Sequence, residues 1–337
     1  MLITTLIAAG MCAIAASQSQ DRSFAVLGSA APSAIKRVPE GSRRELAAAL
    51  RRGVERAAAL GGSLEAAAMF AGWRDPVVVG SPPGGGRRWM RMWSMSKAVV
   101  MVGLLRAEGW DGAPGNALTP EVRSALKAAI TRSENCRQRR VVLELQEATG
   151  GGPAGARQAV EEVVRAAGGR VRVGKQVAPP ESSCFEYLES QHEISDPLAP
   201  AVLLGTSEWR IGDAVRFARA LSAKVYGKAI TNRVLAELRL PKAASREVAP
   251  GELTAPLDWG AGKVFAGLNP AYKAGWGGSL EGDFLAGQLA VVDLPTGRLA
   301  LAVAYRPDVQ PPSDDPGRTA APHAIELVME SLRGTQG

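Results

Sequence analysis

Apolar and polar positions recur with two different periods along this chain, and the period changes from segment to segment. Leu46, Leu50 and Val54 fall on one face of a helix. Ser42 and Glu45 have the spacing of a capping box at its start. Leu64 to Trp73 and Val77 to Val79 have strand character around a turn at Arg74-Asp75-Pro76. Ser81-Pro82-Pro83 and Gly84 to Gly86 then break the chain. From Met95 to about Gly205 the spacing is helical. Thr119-Pro120-Glu121 is a helix start, with Val122, Leu126 and Ile130 on one stripe. Val141, Leu145 and Ala148 predict a second helix running to Gly150-Gly151-Gly152, and Val160, Val163, Val164 and Ala167 a third ending at Gly168-Gly169. Residues 171–205 carry Pro179, Pro180, Pro197 and Pro200 without a clear period and read as a long loop.

Helices around residues 211–223 and 230–239 precede a change of character. Lys263–Leu268, Tyr272–Gly278, Phe284–Leu294 and Arg298–Arg306 read as strands, with a tight turn at Pro295-Thr296-Gly297. A last helix places Ile325, Val328, Met329 and Leu332 on one face. This order predicts an α+β fold. One five-stranded antiparallel sheet, built from both chain ends (residues 41–90 and 255–337), is flanked by N- and C-terminal helices, with an all-helical lobe (91–254) inserted between them.

Composition changes this picture little. The 337 residues, 46% of them hydrophobic, are enough for one large domain or two lobes sharing a core. A net charge of +7 favours anionic partners. The basic residues are nevertheless spread along the chain, and Arg137, Arg139 and Arg140, the densest cluster, read as the exposed side of a helix. Nucleic acid is therefore not expected as a partner.

The N-terminus is more informative. Leu2 to Ala16 are apolar and end in Ala13-Ile14-Ala15-Ala16, which resembles a signal-peptide core with its cleavage site but without the usual basic start. The expectation is a signal peptide over 1–16, a linker over 17–40 and a secreted or periplasmic domain over 41–337. Membrane contact is then expected only through an uncleaved signal. Loss of Cys12 leaves Cys136 and Cys184, which an exported chain often joins in one disulfide. With two histidines, His192 and His323, and no HExxH or CxxC, neither a metal nor an organic cofactor is expected.

Candidate chemistry begins at Ser94-Met95-Ser96-Lys97. At the start of a helix, Ser94 and Lys97 share a face, and a desolvated lysine beside a serine can act as its base. A chain of this length shows roughly one S-x-x-K by chance, so the motif alone means little. Ser133-Glu134-Asn135 follows the helix that begins at Thr119, and Lys273-Ala274-Gly275 lies on a C-terminal strand. Taken singly, Ser133 and Asn135 suit a plain helix-cap turn, and Trp276 a core or cleft-wall aromatic. Together the set S-x-x-K, S-x-N, K-x-G falls in order on a helix start, an inter-helix turn and a sheet-edge strand.

On these motifs the chain resembles the class A β-lactamase and penicillin-binding serine hydrolases. Gly151-Gly152-Pro153-Ala154-Gly155 and Thr206 to Leu221 also look like segments of that family. The resemblance implies roles residue by residue. Ser94 would be the acylated nucleophile, Lys97 its base, and Ser133 the relay of a proton to the leaving nitrogen. Asn135 would orient the substrate amide, and Lys273 would hold a substrate carboxylate. Gly275 and Trp276 would belong to the substrate-binding strand. The backbone N–H groups of Ser94 and Trp276 would form an oxyanion hole. The implied partner is a small molecule or cell-wall peptide, cleaved at an amide or ester.

Three departures qualify the resemblance. Ala274 stands where the family has Thr or Ser, removing a hydrogen bond worth about 1–3 kcal/mol if it is charge-assisted. Residues 171–205 contain Glu181, Glu186, Glu189 and Glu193 but no E-x-x-L-N pattern for a deacylating glutamate. Ser94 and Ser133 are only 39 positions apart, shorter than the family spacing. Two rival expectations stand beside the hydrolase. One is a non-catalytic or slowly deacylating penicillin-binding module of the same fold; the other is an unrelated α/β protein with accidental motifs.

Overall fold

The computed structural model describes residues 40–81, 85–113, 118–173, 207–243, 259–277, 284–309 and 319–333. The expected signal peptide, the expected linker up to residue 39, Cys184, and the four glutamates of the long loop lie outside them, and Glu40, expected to end the linker, already belongs to the first helix.

Helix α1 (Glu40–Ala58) buries Leu46, Leu50 and Val54 as their spacing predicts. It begins before Ser42, so that residue lies within the helix and does not cap it. Strands β1 (Gly62–Phe70) and β2 (Val77–Gly80) follow as an antiparallel pair. Next comes β3 (Met90–Arg91), which pairs with β4 (Glu208–Trp209). Two-residue strands are too short to leave a period in the sequence, and neither was expected.

The helical block is α2 (Ser96–Ala107), α3 (Pro120–Thr131), α4 (Asn135–Thr149) and α5 (Gly152–Ala166). Every residue of α2 from Ser96 to Leu105 is buried, as befits a helix apolar on nearly all sides. Thr119 caps α3, its Oγ1 accepting the Val122 N–H at 3.2 Å with Pro120 beside it. Gly150, at φ 65°, closes α4 in the left-handed conformation that glycine adopts without strain. Helices α6 (Ile211–Ser222) and α7 (Lys228–Arg239) match expectation to within two residues.

One segment departs from the sequence reading. Residues 263–268 are not a strand: they belong to α8 (Ala261–Val264) and a 3-10 turn, Ala266–Leu268. Local anchors override the apolar run. Gln288 Oε1 accepts the Ala261 N–H at 2.6 Å, and Lys263 pairs with buried Glu326 at 2.7 Å. Gly262 lies so close to Tyr272 that a Cβ there would meet the phenol at 2.4 Å.

Strands β5 (Ala271–Gly277), β6 (Leu285–Leu294) and β7 (Gly297–Pro307) complete the sheet, in the order β2-β1-β7-β6-β5. Neighbouring strands are antiparallel, as expected. The N-terminal β1 pairs with the C-terminal β7 from Gly62–Pro307 to Phe70–Leu299. Helices α1 and α9 (Ala321–Arg333) lie together beside the sheet, and α6 packs on β7 and β1. Strand β5 forms one edge, close to the turn that precedes α2. No described helix is long and apolar enough to cross a membrane.

Candidate active site

Ser94 is the middle residue of a 3-10 turn, Trp93–Met95, that runs directly into α2. Lys97 is thus in the first turn of α2, three residues beyond the serine. The approach of β5 to this turn is backbone against backbone. A Cβ on Gly275 would lie 2.8 Å from the nitrogens of both Ser94 and Met95 and 3.0 Å from the Met92 carbonyl oxygen. Only glycine admits that contact, and it brings the edge strand against the backbone of Ser94.

The side chains converge from three elements. Lys97 and Lys273 are each only 2% exposed, and Ser133 is 9% exposed. The Lys97 amine donates to the Ser133 carbonyl oxygen at 2.5 Å and to Asn135 Oδ1 at 2.7 Å, and lies 3.5 Å from Ser133 Oγ. From β5, Lys273 reaches the same Ser133 hydroxyl at 2.9 Å and the Ala274 carbonyl oxygen at 2.9 Å. The S-x-x-K, S-x-N and K-x-G segments, up to 179 positions apart in sequence, therefore meet around one hydroxyl. Two buried amines flank it.

Charge follows from this geometry. Burial, and secondarily the nearby Lys97 and Lys242, hold the Lys273 amine well below the ordinary lysine range. Among the described residues no carboxylate forms an ion pair with Lys273.

Two backbone features were not visible in the sequence. Trp93 (φ 43°) and Ser133 (φ 59°) adopt the left-handed conformation, unusual for side chains of their kind and characteristic of functional turns. Trp93 is held by Gly277, where a Cβ would come within 2.8 Å of its indole, and by Arg91, whose guanidinium lies 5.5 Å from the ring centre. The Ser133 turn is held by Glu134, a buried carboxylate bonded to Arg132 Nε at 2.5 Å and 3.9 Å from Arg137. Trp276 is partly buried at the strand edge, one residue beyond Gly275. Cys136, next to Asn135, is disulfide-bonded.

The whole architecture recurs in solved structures. The transpeptidase domain of the FtsI4 D,D-transpeptidase from Legionella pneumophila is 16% identical, with a TM-score of 0.53 over 89% of this chain and 99% of that one. A class A β-lactamase from Bacteroides cellulosilyticus is 14% identical, with a TM-score of 0.54 over 86% and 99%. The β-lactamase from Sphaerobacter thermophilus is 15% identical, with a TM-score of 0.52 over 86% and 97%. The chain has the β-lactamase/transpeptidase fold. No family model and no curated protein sequence matches it. The β-lactamase/transpeptidase fold accounts for the sheet made from both chain ends and for the inserted helices, and removes the reading of an unrelated α/β protein.

Proposed function

We propose that the chain is an exported serine hydrolase that cleaves an amide or ester through an acyl-enzyme on Ser94. The observation that carries this reading is the pair of buried amines, Lys97 and Lys273, sharing the Ser133 hydroxyl beside the Ser94 turn. Packing alone gives no reason to bury two lysines against one serine, since each costs free energy to desolvate.

Lys97, as a neutral amine, takes the proton from Ser94 Oγ while that oxygen attacks the substrate carbonyl. The oxyanion is held by the N–H groups of Ser94 and Trp276. The carbon–nitrogen or carbon–oxygen bond of the substrate then breaks, and the proton passes from Lys97 through Ser133 to the leaving group. Asn135 orients the substrate amide, and Lys273 holds its carboxylate. Water later attacks the ester on Ser94, releasing the acid and restoring the serine. Export is supported by the oxidised Cys136, since disulfides persist in oxidising compartments.

Ala274 favours a second reading at the same site, a penicillin-binding module that acylates and releases slowly. Its side chain is a methyl group where a hydroxyl would bond the substrate carboxylate. One experiment addresses both. The mature protein is incubated with a fluorescent penicillin and with an activated ester, and intact mass is followed over time. The expected result is one covalent adduct, absent in Ser94→Ala; an adduct that survives this change would sink the nucleophile assignment. Persistence of the penicilloyl adduct would select the slow module, and rapid loss the efficient hydrolase.

A further inference from the structure

The sheet has a second edge, at the far side from the site. Strand β2 pairs with β1 alone, while β5, which carries Lys273 and Gly275, forms the opposite edge. Across five strands the two edges are roughly 19 Å apart. Helix α1 packs beside β2, and between them is an open groove of about 340 Å³. That size falls in the range of small-molecule sites.

The groove sorts its chemistry by element. Arg43, Arg44, Ala47 and Arg51 come from α1, on a stripe beside the core-facing Leu46, Leu50 and Val54. Val77, Val78 and Val79 come from β2. Arg43 is fixed in place. Its Nη2 donates to the Pro76 carbonyl oxygen at 3.2 Å, and its guanidinium carbon lies 5.3 Å from the centre of the Trp73 ring. Held there, it keeps further N–H donors for an anion. Arg44 and Arg51 are exposed, and neither forms an ion pair among the described residues. Val78, 38% exposed, keeps an apolar surface open at the strand edge. Three guanidinium groups beside a valine floor fit one ligand chemistry, an anionic head group joined to a hydrocarbon tail.

We propose that this groove docks the protein on a membrane surface that carries anionic phospholipid. Arg43, Arg44 and Arg51 hold the phosphate, and the first carbons of an acyl chain rest on the β2 valines. The contact is separate from the expected signal peptide and from the acyl-enzyme chemistry. The sequence around α1 adds to the charge. Six basic residues and two acidic ones lie between Lys36 and Arg52, the pattern of a segment drawn to anionic lipid. Other occupants lack one half of the match. Residues 17–39 of the chain itself carry Arg22, Lys36 and Arg37 against Asp21, the wrong sign for this groove. A second copy brings a net charge of +7. A nucleic acid offers phosphate but no hydrocarbon for the valines. Docking by β2 keeps β5 and the site at the sheet edge away from the lipid.

Vesicle flotation tests the proposal. The mature protein is mixed with vesicles of phosphatidylcholine alone, or of phosphatidylcholine with about 30% phosphatidylglycerol, in about 0.1 M salt. Binding is expected only to the second. In Arg44→Gln/Arg51→Gln the partition coefficient is expected to fall about fivefold for each arginine lost. A control pair, Arg123→Gln/Arg165→Gln, removes the same charge from exposed positions on α3 and α5. It is expected to change binding by less than about twofold, its charges being outside the groove and screened. Equal urea midpoints show that both pairs fold. Equal losses of binding in the two pairs would mean a general attraction of a basic protein and would overturn the groove. Binding that ignores lipid charge would overturn it as well. Monomeric dihexanoyl phosphatidylglycerol is expected to bind in calorimetry at least about tenfold more tightly than glycerol phosphate. Equal affinities would leave the valines no role and sink the lipid assignment. A dimer in lipid-free solution that Arg44→Gln/Arg51→Gln separates would put a second copy in the groove instead. Tighter binding to a DNA duplex than to the vesicles would likewise replace lipid by nucleic acid. None of these readings depends on Ser94, so failure of the acyl-enzyme is seen separately, as absence of adduct.

Discussion

At the scale of single residues the site is held by contacts that tolerate no extra atoms. Gly275 admits β5 to the backbone of Ser94 and Met95, and a methyl group there has nowhere to go, since its neighbours are main-chain atoms. Gly275→Ala is therefore expected to push the edge strand away from the Ser94 turn, at a cost of about 1–3 kcal/mol in stability. Acylation should fall by a larger factor than stability explains, because the displaced N–H groups are those proposed to meet the oxyanion. Urea unfolding and adduct formation, measured on the same sample, check both parts; full acylation with unchanged stability would contradict the close approach. That Lys97, Ser133, Asn135 and Lys273 come together was legible in the sequence, because their motifs stand in order. Trp93 and Glu134 were not. Their importance lies in a backbone angle and a buried ion pair, neither of which has a period or a spacing.

At the scale of elements, legibility followed length and amphipathicity. The start of helix α3 could be placed because Thr119 and Pro120 supply it and Val122, Leu126 and Ile130 form its buried stripe. The 263–268 segment could not, because an apolar run of that length suits a strand or a helical turn equally. Its outcome was decided by Gln288, Glu326 and Tyr272, which are distant in sequence. Helix α3 also carries the Ser133 turn at its C-terminal end, so its cap has a consequence for the site. Thr119→Ala removes the acceptor for the Val122 N–H and is expected to cost about 1 kcal/mol. Because the cap is at the opposite end from Ser133, acylation well below the melting temperature should be unchanged. A drop in rate together with the drop in stability would show that α3 moves as a rigid lever, and would contradict an independent cap.

At the scale of the whole molecule, the sheet joins the two chain ends while the site is assembled across the lobe between them. Strand β1 is held by β7, and β5, at the far edge, presents Lys273 to a turn of the helical block. The described residues give the site two protein-borne clamps: Gly275 at the strand, and Glu134 with Arg132 at the turn. A covalent clamp is added at Cys136, adjacent to Asn135. The sequence holds three cysteines, and removal of a signal peptide at the expected place would take Cys12 with it. Cys184 is then the partner left for Cys136. The mature protein is expected to contain no free thiol under denaturing, non-reducing conditions, and its proteolytic digest a linked pair of peptides that separates on reduction. Two reactive thiols per mature chain would end this assignment. Closing a loop of that length stabilises a fold by about 4 kcal/mol in the chain-entropy account, so reduction should lower the urea midpoint measurably. Reduction should also loosen the start of α4, where Asn135 meets Lys97. A fall in acylation rate on reduction, reversed by reoxidation, is the outcome expected if the bond serves the site as well as the fold.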